Sequence, residues 1–308
     1  MTPVESLQEW ERTRYKRCKV CGGKELKSVY SLFDHHDIII VRCLACGLHF
    51  QNPAPTEEYG REGYWGELTL LELNAAWEAQ SALFHRRLRR IQQYEPRLKD
   101  LAGFRILEVG SGPGVFLRIC QQMGAEVMGL EFGARKTIRD AYGIEIVERP
   151  IEDSWWQESY AEYFDLIASF DVLEHLYDPV TTIHRMKPLL RRDGILFLST
   201  PCQDSMIERL GHLLYQSSGG RMRHLLNARY NQHHVQIFSS AELRRLLSEE
   251  GFHDVRSEVL KDYSYPTWSY VYRFLVPHEP AARIIGSLLA PGFHLLPLSN
   301  KAFVLGRA

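Results

Sequence analysis

The sequence predicts an α/β protein built on a parallel sheet, with a small cysteine-rich module at its N-terminal end. Three observations carry this expectation. From residue 105 onward, short apolar runs alternate with helical stretches, the pattern of a parallel sheet covered on both faces. A glycine-rich loop, Gly110-Ser-Gly112-Pro-Gly114, joins one such run to a helix. Two Cys-x-x-Cys pairs, Cys18/Cys21 and Cys43/Cys46, lie ahead of the alternating region.

Bulk properties bound the function before any motif does. The chain has 308 residues, 37 Lys+Arg against 38 Asp+Glu, and a formal net charge of -1. That length fits one large domain or two unequal ones, with a core that needs no disulfide staples. Apolar residues make up 45%, which excludes a mostly disordered chain. Balanced charge argues against a strongly electrostatic nucleic-acid binder. Met1 to Arg17 is polar and charged, without the apolar core of a secretory signal. Ile284 to Leu298 is the most lipid-like stretch, but Pro291 and Pro297 interrupt it, so it is not expected to span a bilayer as one helix. The expectation is a cytoplasmic protein.

The elements follow in order. Residues 15–50 form the cysteine module, with β-rich runs such as Ile38 to Val41. Gln51-Asn-Pro-Ala-Pro55 is expected to break regular structure. Residues 51–100 form a connector and N-terminal helices. The helix over 74–98 carries Trp77, Leu83, Phe84, Leu88 and Ile91 inward, with Arg86, Arg87, Arg89 and Arg90 mostly on the other face. Residues 101–308 form the main domain. Its strands are expected at 105–109, 126–130, 144–147, 164–170 and 195–199, with helices at 115–123 and 179–191 and Gly194 closing the latter. Residues 203–236 interrupt this rhythm as a partly helical, His- and Arg-rich insertion. Ser239-Ser-Ala-Glu242 opens a helix with a capping box and Gly251 closes it. Strands near 254–260 and 301–305 finish the chain.

The central motif is Glu108-Val-Gly110-Ser-Gly112-Pro-Gly114, between a strand and a helix. Glycines there allow a tight turn and close approach of a ligand, and the helix N-terminus favours an anionic group. Glu131 ends the next strand, 21 residues after Gly110, where an acid can accept both ribose hydroxyls of an adenosine ligand. The dinucleotide fingerprint would need glycine at 115, and Val115 stands there. No Walker lysine follows the loop.

With Glu131, Phe164-Asp-Leu-Ile-Ala-Ser-Phe170-Asp171-Val-Leu-Glu174-His175 and Leu189 to Pro201, this motif resembles the class I S-adenosylmethionine (SAM)-dependent methyltransferases. The nearest subgroup looks like the ubiquinone-biosynthesis O-methyltransferases and their small-molecule and sugar-modifying relatives. The resemblance implies a Rossmann-like seven-stranded sheet with the last strand antiparallel, and direct methyl transfer with inversion. It implies a cofactor-binding set: Glu108, Gly110, Gly112 and Gly114 at the loop, Glu131 at the ribose, Ile151 and Glu152 at the adenine, and Phe170 and Asp171 beside the methionine part.

Asp171-x-x-Glu174-His175 carries a second question. Some relatives with Glu-x-x-Glu-His here bind a divalent cation. Oxygen ligands plus one imidazole suit Mg²⁺ or Mn²⁺, whereas Glu174 and His175 can also simply brace the following turn. His175 is a candidate general base, since neutral imidazole suits proton removal from a hydroxyl. His234, with His233, is its rival ahead of Gln236-Ile-Phe-Ser239.

The cysteine pairs read as metal ligands. In Cys18-Lys-Val-Cys21-Gly22 and Cys43-Leu-Ala-Cys46-Gly47 a glycine follows each second cysteine, and glycine tolerates the left-handed turn of a knuckle. Four thiolates hold structural Zn²⁺ with no open position for water. Sugar methyltransferases are similar in carrying a four-cysteine module, which makes a sugar or nucleotide-linked sugar hydroxyl the expected acceptor. Tyr64 and Trp65 can stack on it, and Arg221, Arg223 and Arg229 can neutralise a phosphate. Alternatives are an RNA base methyltransferase with a zinc-knuckle module, which the charge balance disfavours, and a quinone- or lipid-like O-methyltransferase. A non-enzymatic binding module is disfavoured by the intact loop. The segment from Tyr270 to Leu298 serves either core packing or peripheral membrane contact. Cys120 and Cys202 read as small buried apolar residues.

Overall fold

The computed structural model of the chain describes residues 12–31, 38–55, 66–133, 135–222, 226, 229–230, 233–263, 278–295 and 298–308. Tyr64, Trp65 and Arg223, and residues 270–277 and 296–297 of the Tyr270–Leu298 segment, lie outside them.

The central sheet grows from the alternating region. Strands β6 (Arg105–Val109), β7 (Glu126–Leu130), β8 (Glu145–Val147), β9 (Phe164–Phe170), β10 (Leu190–Pro201), β12 (His253–Leu260) and β13 (Lys301–Arg307) pair in the order β12-β13-β10-β9-β6-β7-β8. β13 runs antiparallel to both of its neighbours, and the pairs from β10 through β8 are parallel. This is the seven-stranded arrangement expected from the resemblance.

Alternation along each strand splits its side chains between two cores. Leu107, Val109, Ile167, Leu196 and Leu198 face one way. They pack with Trp156 of α4 (Ser154–Tyr160), Ile183 of α5 (Pro179–Met186) and Leu246 of α7 (Ser240–Glu249). Ile106, Leu166, Ala168, Phe170 and Phe197 face the other way. They meet Leu88 and Ile91 of α1 (Leu70–Tyr94) and Phe116 and Ile119 of α2 (Val115–Gln122). Both faces being covered explains why every residue of β9 is buried. Helix α3 (Arg135–Tyr142) closes the edge, where Ile138 joins Leu73, Leu117, Ile144 and Ile146.

The cysteine module is an antiparallel sheet of β2 (Leu26–Ser31), β3 (Ile39–Cys43) and β4 (His49–Asn52). Its fourth strand, β11 (Gln236–Ile237), comes from beyond the insertion and pairs with β4. Cys18, Val41, Cys43, Leu48 and Phe50 belong to the same core cluster as one face of the large sheet.

Four sequence expectations change. Pro53 ends β4 as expected, but the break is a single residue. β5 (Ala54–Pro55) follows directly and pairs with β1 (Arg12–Thr13), at an edge where proline needs no donor. Helix α1 starts earlier than 74, because Thr69 and Glu72 form a capping box. The helix after Pro179 is short: α5 ends at Met186, a 3₁₀ turn spans Lys187–Leu189, and β10 begins at Leu190. Gly194 therefore sits at an irregularity inside β10, where a Cβ would lie 2.8 Å from Arg191 O and 3.0 Å from Phe164 O. Helix α8 (Glu279–Leu295) continues through Pro291. Among the described residues, no helix is long and apolar enough to cross a membrane.

In the insertion, α6 (Met206–Ser217) is capped by Ser205, and α7 carries the expected capping box of Ser239 and Glu242. Replacing Ser239 by Ala is expected to cost about 1 kcal/mol, while Leu246→Ala costs roughly 2–5 kcal/mol. Urea unfolding of both variants checks the ranking.

Candidate functional site

The glycine loop turns sharply because its three glycines adopt φ values that other residues avoid. Gly110, Gly112 and Gly114 have φ of 75°, 49° and 71°. Gly110 has a further constraint: a Cβ there would lie 2.3 Å from Val172 Cγ2. The loop after β6 is thus packed directly on the loop after β9. The Gly110 N–H donates to Leu130 O at 2.8 Å, which ties the turn to the end of β7.

Glu131 follows β7 and reaches back to the loop. Its Oε2 accepts from the Gly112 N–H and its Oε1 from the Phe132 N–H, each at 2.8 Å. Burial raises its carboxyl above the ordinary value, and the two N–H bonds oppose that. A carboxylate offers about four lone-pair sites, so two remain for a diol. Glu108, at the fourth position of β6, is buried, and its Oε2 has no hydrogen-bond partner among the described residues. Burial pushes its carboxyl well above the usual range, Arg87 opposing and Glu131 adding. An orphaned buried acceptor of this kind suits an ammonium group of a ligand.

The connector lies over the same edge. A Cβ on Gly133 would meet Gly66 O at 2.7 Å, and Glu67 accepts from the Thr137 N–H and hydroxyl at 2.8 Å. Ile151 is buried in the core that includes Leu130. Glu152 is turned to α5, where it accepts from the Thr182 hydroxyl at 2.7 Å.

Asp171 ends β9 in a left-handed conformation, φ 59°, and enters an ion cluster. Lys301 Nζ lies 2.6 Å and Arg87 Nη2 3.0 Å from its Oδ2. Arg87 also meets Asp262 Oδ2 at 2.7 Å, and Lys301 reaches the same oxygen at 3.5 Å. The guanidinium sits 4.9 Å and 5.0 Å from the ring centres of Phe84 and Phe170. Burial works against the charge on Asp171, but Lys301 and Arg87 outweigh it and hold its carboxyl well below the ordinary range. Asp171 is therefore committed to two cations and does not join Glu174 and His175 as a metal ligand.

His175 is oriented by the segment before β11. Its Nδ1 lies 2.8 Å from His233 O. A carbonyl only accepts, so Nδ1 carries the proton and Nε2 is the basic nitrogen of the neutral ring. Nε2 stands 3.9 Å from Glu174 Oε1, and Glu174 Oε2 accepts from the Thr200 hydroxyl at 2.7 Å. His234 packs on His175 with ring centres 5.0 Å apart, and its Nδ1 donates to Arg229 O at 2.7 Å. Burial, then the neighbouring His175, lower the His234 pKa to about 3. Donor atoms of Glu174, His175 and His234 lie within 4.8 Å of one another. The backbone locks this group in place, since Val235 and Gln236 N–H both donate to Glu174 O and Gln51 donates to His234 O.

The four cysteines converge. Sγ atoms of Cys18 and Cys46 are 3.6 Å apart, as are those of Cys21 and Cys43, and all four lie within 4.8 Å. Zn–S bonds of about 2.3 Å in a tetrahedron place the sulfurs ~3.8 Å apart, so the set fits such an ion. The knuckle touches the His175 loop, with Tyr15 OH 3.1 Å from Tyr177 OH and Lys19 Nζ donating to Tyr177 O at 3.2 Å. Cys120 and Cys202 are buried, as expected.

A methyltransferase-domain family matches residues 77–257, more than half of the chain. The chain belongs to that family. Among curated proteins, the ubiquinone biosynthesis O-methyltransferase of Haemophilus ducreyi is 32% identical over 120 residues, covering 36% of this chain and 51% of that protein. That of Stutzerimonas stutzeri is 31% identical over 107 residues, covering 33% and 46%. The chain thus spans about half the length of the curated relatives it matches. Two solved structures share the fold. A SAM-dependent methyltransferase from Archaeoglobus fulgidus superposes with TM-score 0.50 at 16% identity, over 78% of this chain and 100% of that one. A Haemonchus contortus phosphoethanolamine N-methyltransferase does so with 0.51 at 13%, over 84% and 62%.

Three charged residues that the motifs do not mark gather at Asp171: Arg87, Asp262 and Lys301. Arg87 was expected outward with its neighbours. Yet Phe84, Arg87, Leu88 and Ile91 follow helical spacing, and that spacing puts Arg87 on the buried face. Arg229, expected to meet a phosphate, instead donates to Glu208 Oε2 at 3.1 Å and to the carbonyls of Cys202 and Asn300. Arg87→Met leaves a buried and a half-buried carboxylate with one cation and is expected to cost roughly 3 kcal/mol. Asp171's depressed pKa adds stability above the unfolded value of about 3.9, and that stability is lost as pH falls below it. Urea midpoints between pH 7 and pH 3 check both, and Asp171→Asn should flatten the acid limb.

Proposed function

We propose that this chain is a SAM-dependent O-methyltransferase of a small-molecule hydroxyl, with His175 as general base. The observation that carries the reading is the contact of two loops. The cofactor-type glycine loop and the His175 loop pack together through Gly110 and Val172, at the ends of adjacent parallel strands, where α/β sheets bind ligands.

SAM, when bound, supplies an electrophilic methyl group on a sulfonium. Glu131 would hold the ribose hydroxyls, and Glu108 is the orphaned acceptor for the ammonium. The glycine loop supplies close backbone approach. His175 Nε2 would take the proton of the acceptor hydroxyl, so that its oxygen could accept the methyl group that SAM would supply, with the sulfur leaving as the neutral thioether. The His233 carbonyl holds the imidazole in the required tautomer. His234 is pushed neutral by burial, which suits it to packing and orientation.

The four thiolates are proposed to hold structural Zn²⁺, keeping the knuckle against Tyr177 next to the base. For the acceptor, the relatives' names support a quinone-type aromatic hydroxyl over a sugar. The commitment of Arg229 to Glu208 weakens the nucleotide-sugar reading further, because it removes one of three cations offered to a phosphate. A second reading has Glu174, His175 and His234 hold a divalent ion that orients the acceptor. It is favoured by the convergence of their donor atoms, and two imidazoles suit a transition ion better than Mg²⁺.

His175→Ala should lower turnover by roughly 10²–10⁴-fold with little change in SAM affinity, read by calorimetry beside transfer of labelled methyl to a catechol. Turnover that survives the substitution would remove His175 from the mechanism, and loss of turnover on chelation with His175 intact would favour the metal reading. Cys43→Ser should release zinc and lower the unfolding midpoint, and retention of full zinc would overturn the four-thiolate assignment.

A further inference from the structure

A second group of metal-type donors lies away from the His175 loop, where the insertion helix meets the cysteine module. His49 sits in β4, while Glu208 and His212 are four residues apart on one face of α6. Donor atoms of these three side chains lie within 4.8 Å of one another. His212 Nε2 is 3.3 Å from Glu208 Oε1. Metal–nitrogen and metal–oxygen bonds of about 2.0–2.2 Å at a tetrahedral angle place two ligand atoms ~3.4 Å apart, so this spacing matches.

The surroundings complete the case. His49 and Glu208 are buried. Glu208 Oε2 accepts from Arg229, while its buried Oε1 faces the His212 imidazole and meets no hydrogen-bond geometry among the described residues. Metal-binding carboxylates commonly have one oxygen held in this way by an outer partner. The Tyr230 hydroxyl lies 2.6 Å from His49 Nδ1 and 3.3 Å from His212 Nε2, adding an oxygen donor to the same space.

We propose that His49, Glu208 and His212 form a second metal site, for a divalent transition ion such as Zn²⁺, clamping α6 onto the cysteine module. Two imidazoles and one carboxylate select such an ion over Mg²⁺ or Ca²⁺. The clamp joins β4 to a helix more than 150 residues further along the chain, and Arg229 links it to the His234 segment through its own carbonyl. The site is separate from the four cysteines and from Glu174, His175 and His234. It does not depend on the activity proposed above.

The test counts metal on the full chain. Cobalt is titrated into metal-free protein and followed by absorption, with elemental analysis after dialysis. The cysteine site gives an intense thiolate-to-cobalt band; the second site is expected to add weak visible bands without it. His212→Gln and His49→Gln should each remove that second ion and leave the thiolate band intact. Each should weaken its binding by more than the roughly 10–100-fold that losing an outer partner costs. His234→Ala should leave the count unchanged. Two variants on separate elements guard against one failing to fold, and the thiolate band reports folding in each. A wild-type chain that takes up only the cysteine-bound ion overturns the proposal. So does a second ion that survives both glutamine variants or leaves with His234→Ala.

Discussion

Four charged side chains that meet at the carboxyl edge of the sheet hold the working end of this protein together. Arg87 and Lys301 lie between Asp171 and Asp262. Each comes from a different place in the fold: α1, the start of β13, the residue after β9 and the loop after β12. Buried ions are costly unless paired and hydrogen-bonded, so losing any one of the four leaves the others uncompensated. The cluster thereby fixes α1 against the sheet, and α1 carries Leu88 into one core and Leu73 into the edge cluster with Ile138. It also holds Asp171 in its left-handed turn, from which the His175 loop departs.

The second constraint is the exchange of backbone between the module and the main domain. β11 completes the module's sheet, and its preceding residues hold Glu174 and His175 by backbone hydrogen bonds. The cysteine knuckle reaches the same loop at Tyr177. Stability of the module and orientation of His175 are therefore one problem in this molecule. An ion held by four thiolates, remote from any chemistry, would act on turnover through that loop.

The insertion joins this arrangement from outside the sheet. Arg229 spans Glu208 of α6, Cys202 at the end of β10 and Asn300 before β13. Its own carbonyl orients His234. An arginine with this many fixed partners is a bracket, and its planar fork is what lets one side chain serve three elements.

Much of this was legible in the chain itself. Strand–helix alternation, the glycine loop, Glu131 and the paired cysteines follow from local pattern, because period, turn chemistry and ligand spacing are properties of neighbouring residues. The strands at 105–109, 126–130 and 164–170 and the capping box of Ser239 and Glu242 are legible for that reason. Arg87 was half legible, since helical spacing put it on the apolar face while its charge argued outward. Its partners Asp262 and Lys301 lie far along the chain, and no local pattern pairs them. The same holds for Glu152, turned to Thr182, for Arg229, bound to Glu208, and for His49 meeting His212. The sequence by itself determined which residues could turn, cap, bury or ligate. Only the tertiary structure decided which of them meet, because ion pairs and metal-type clusters are set by how distant elements pack and leave no periodic trace in the chain.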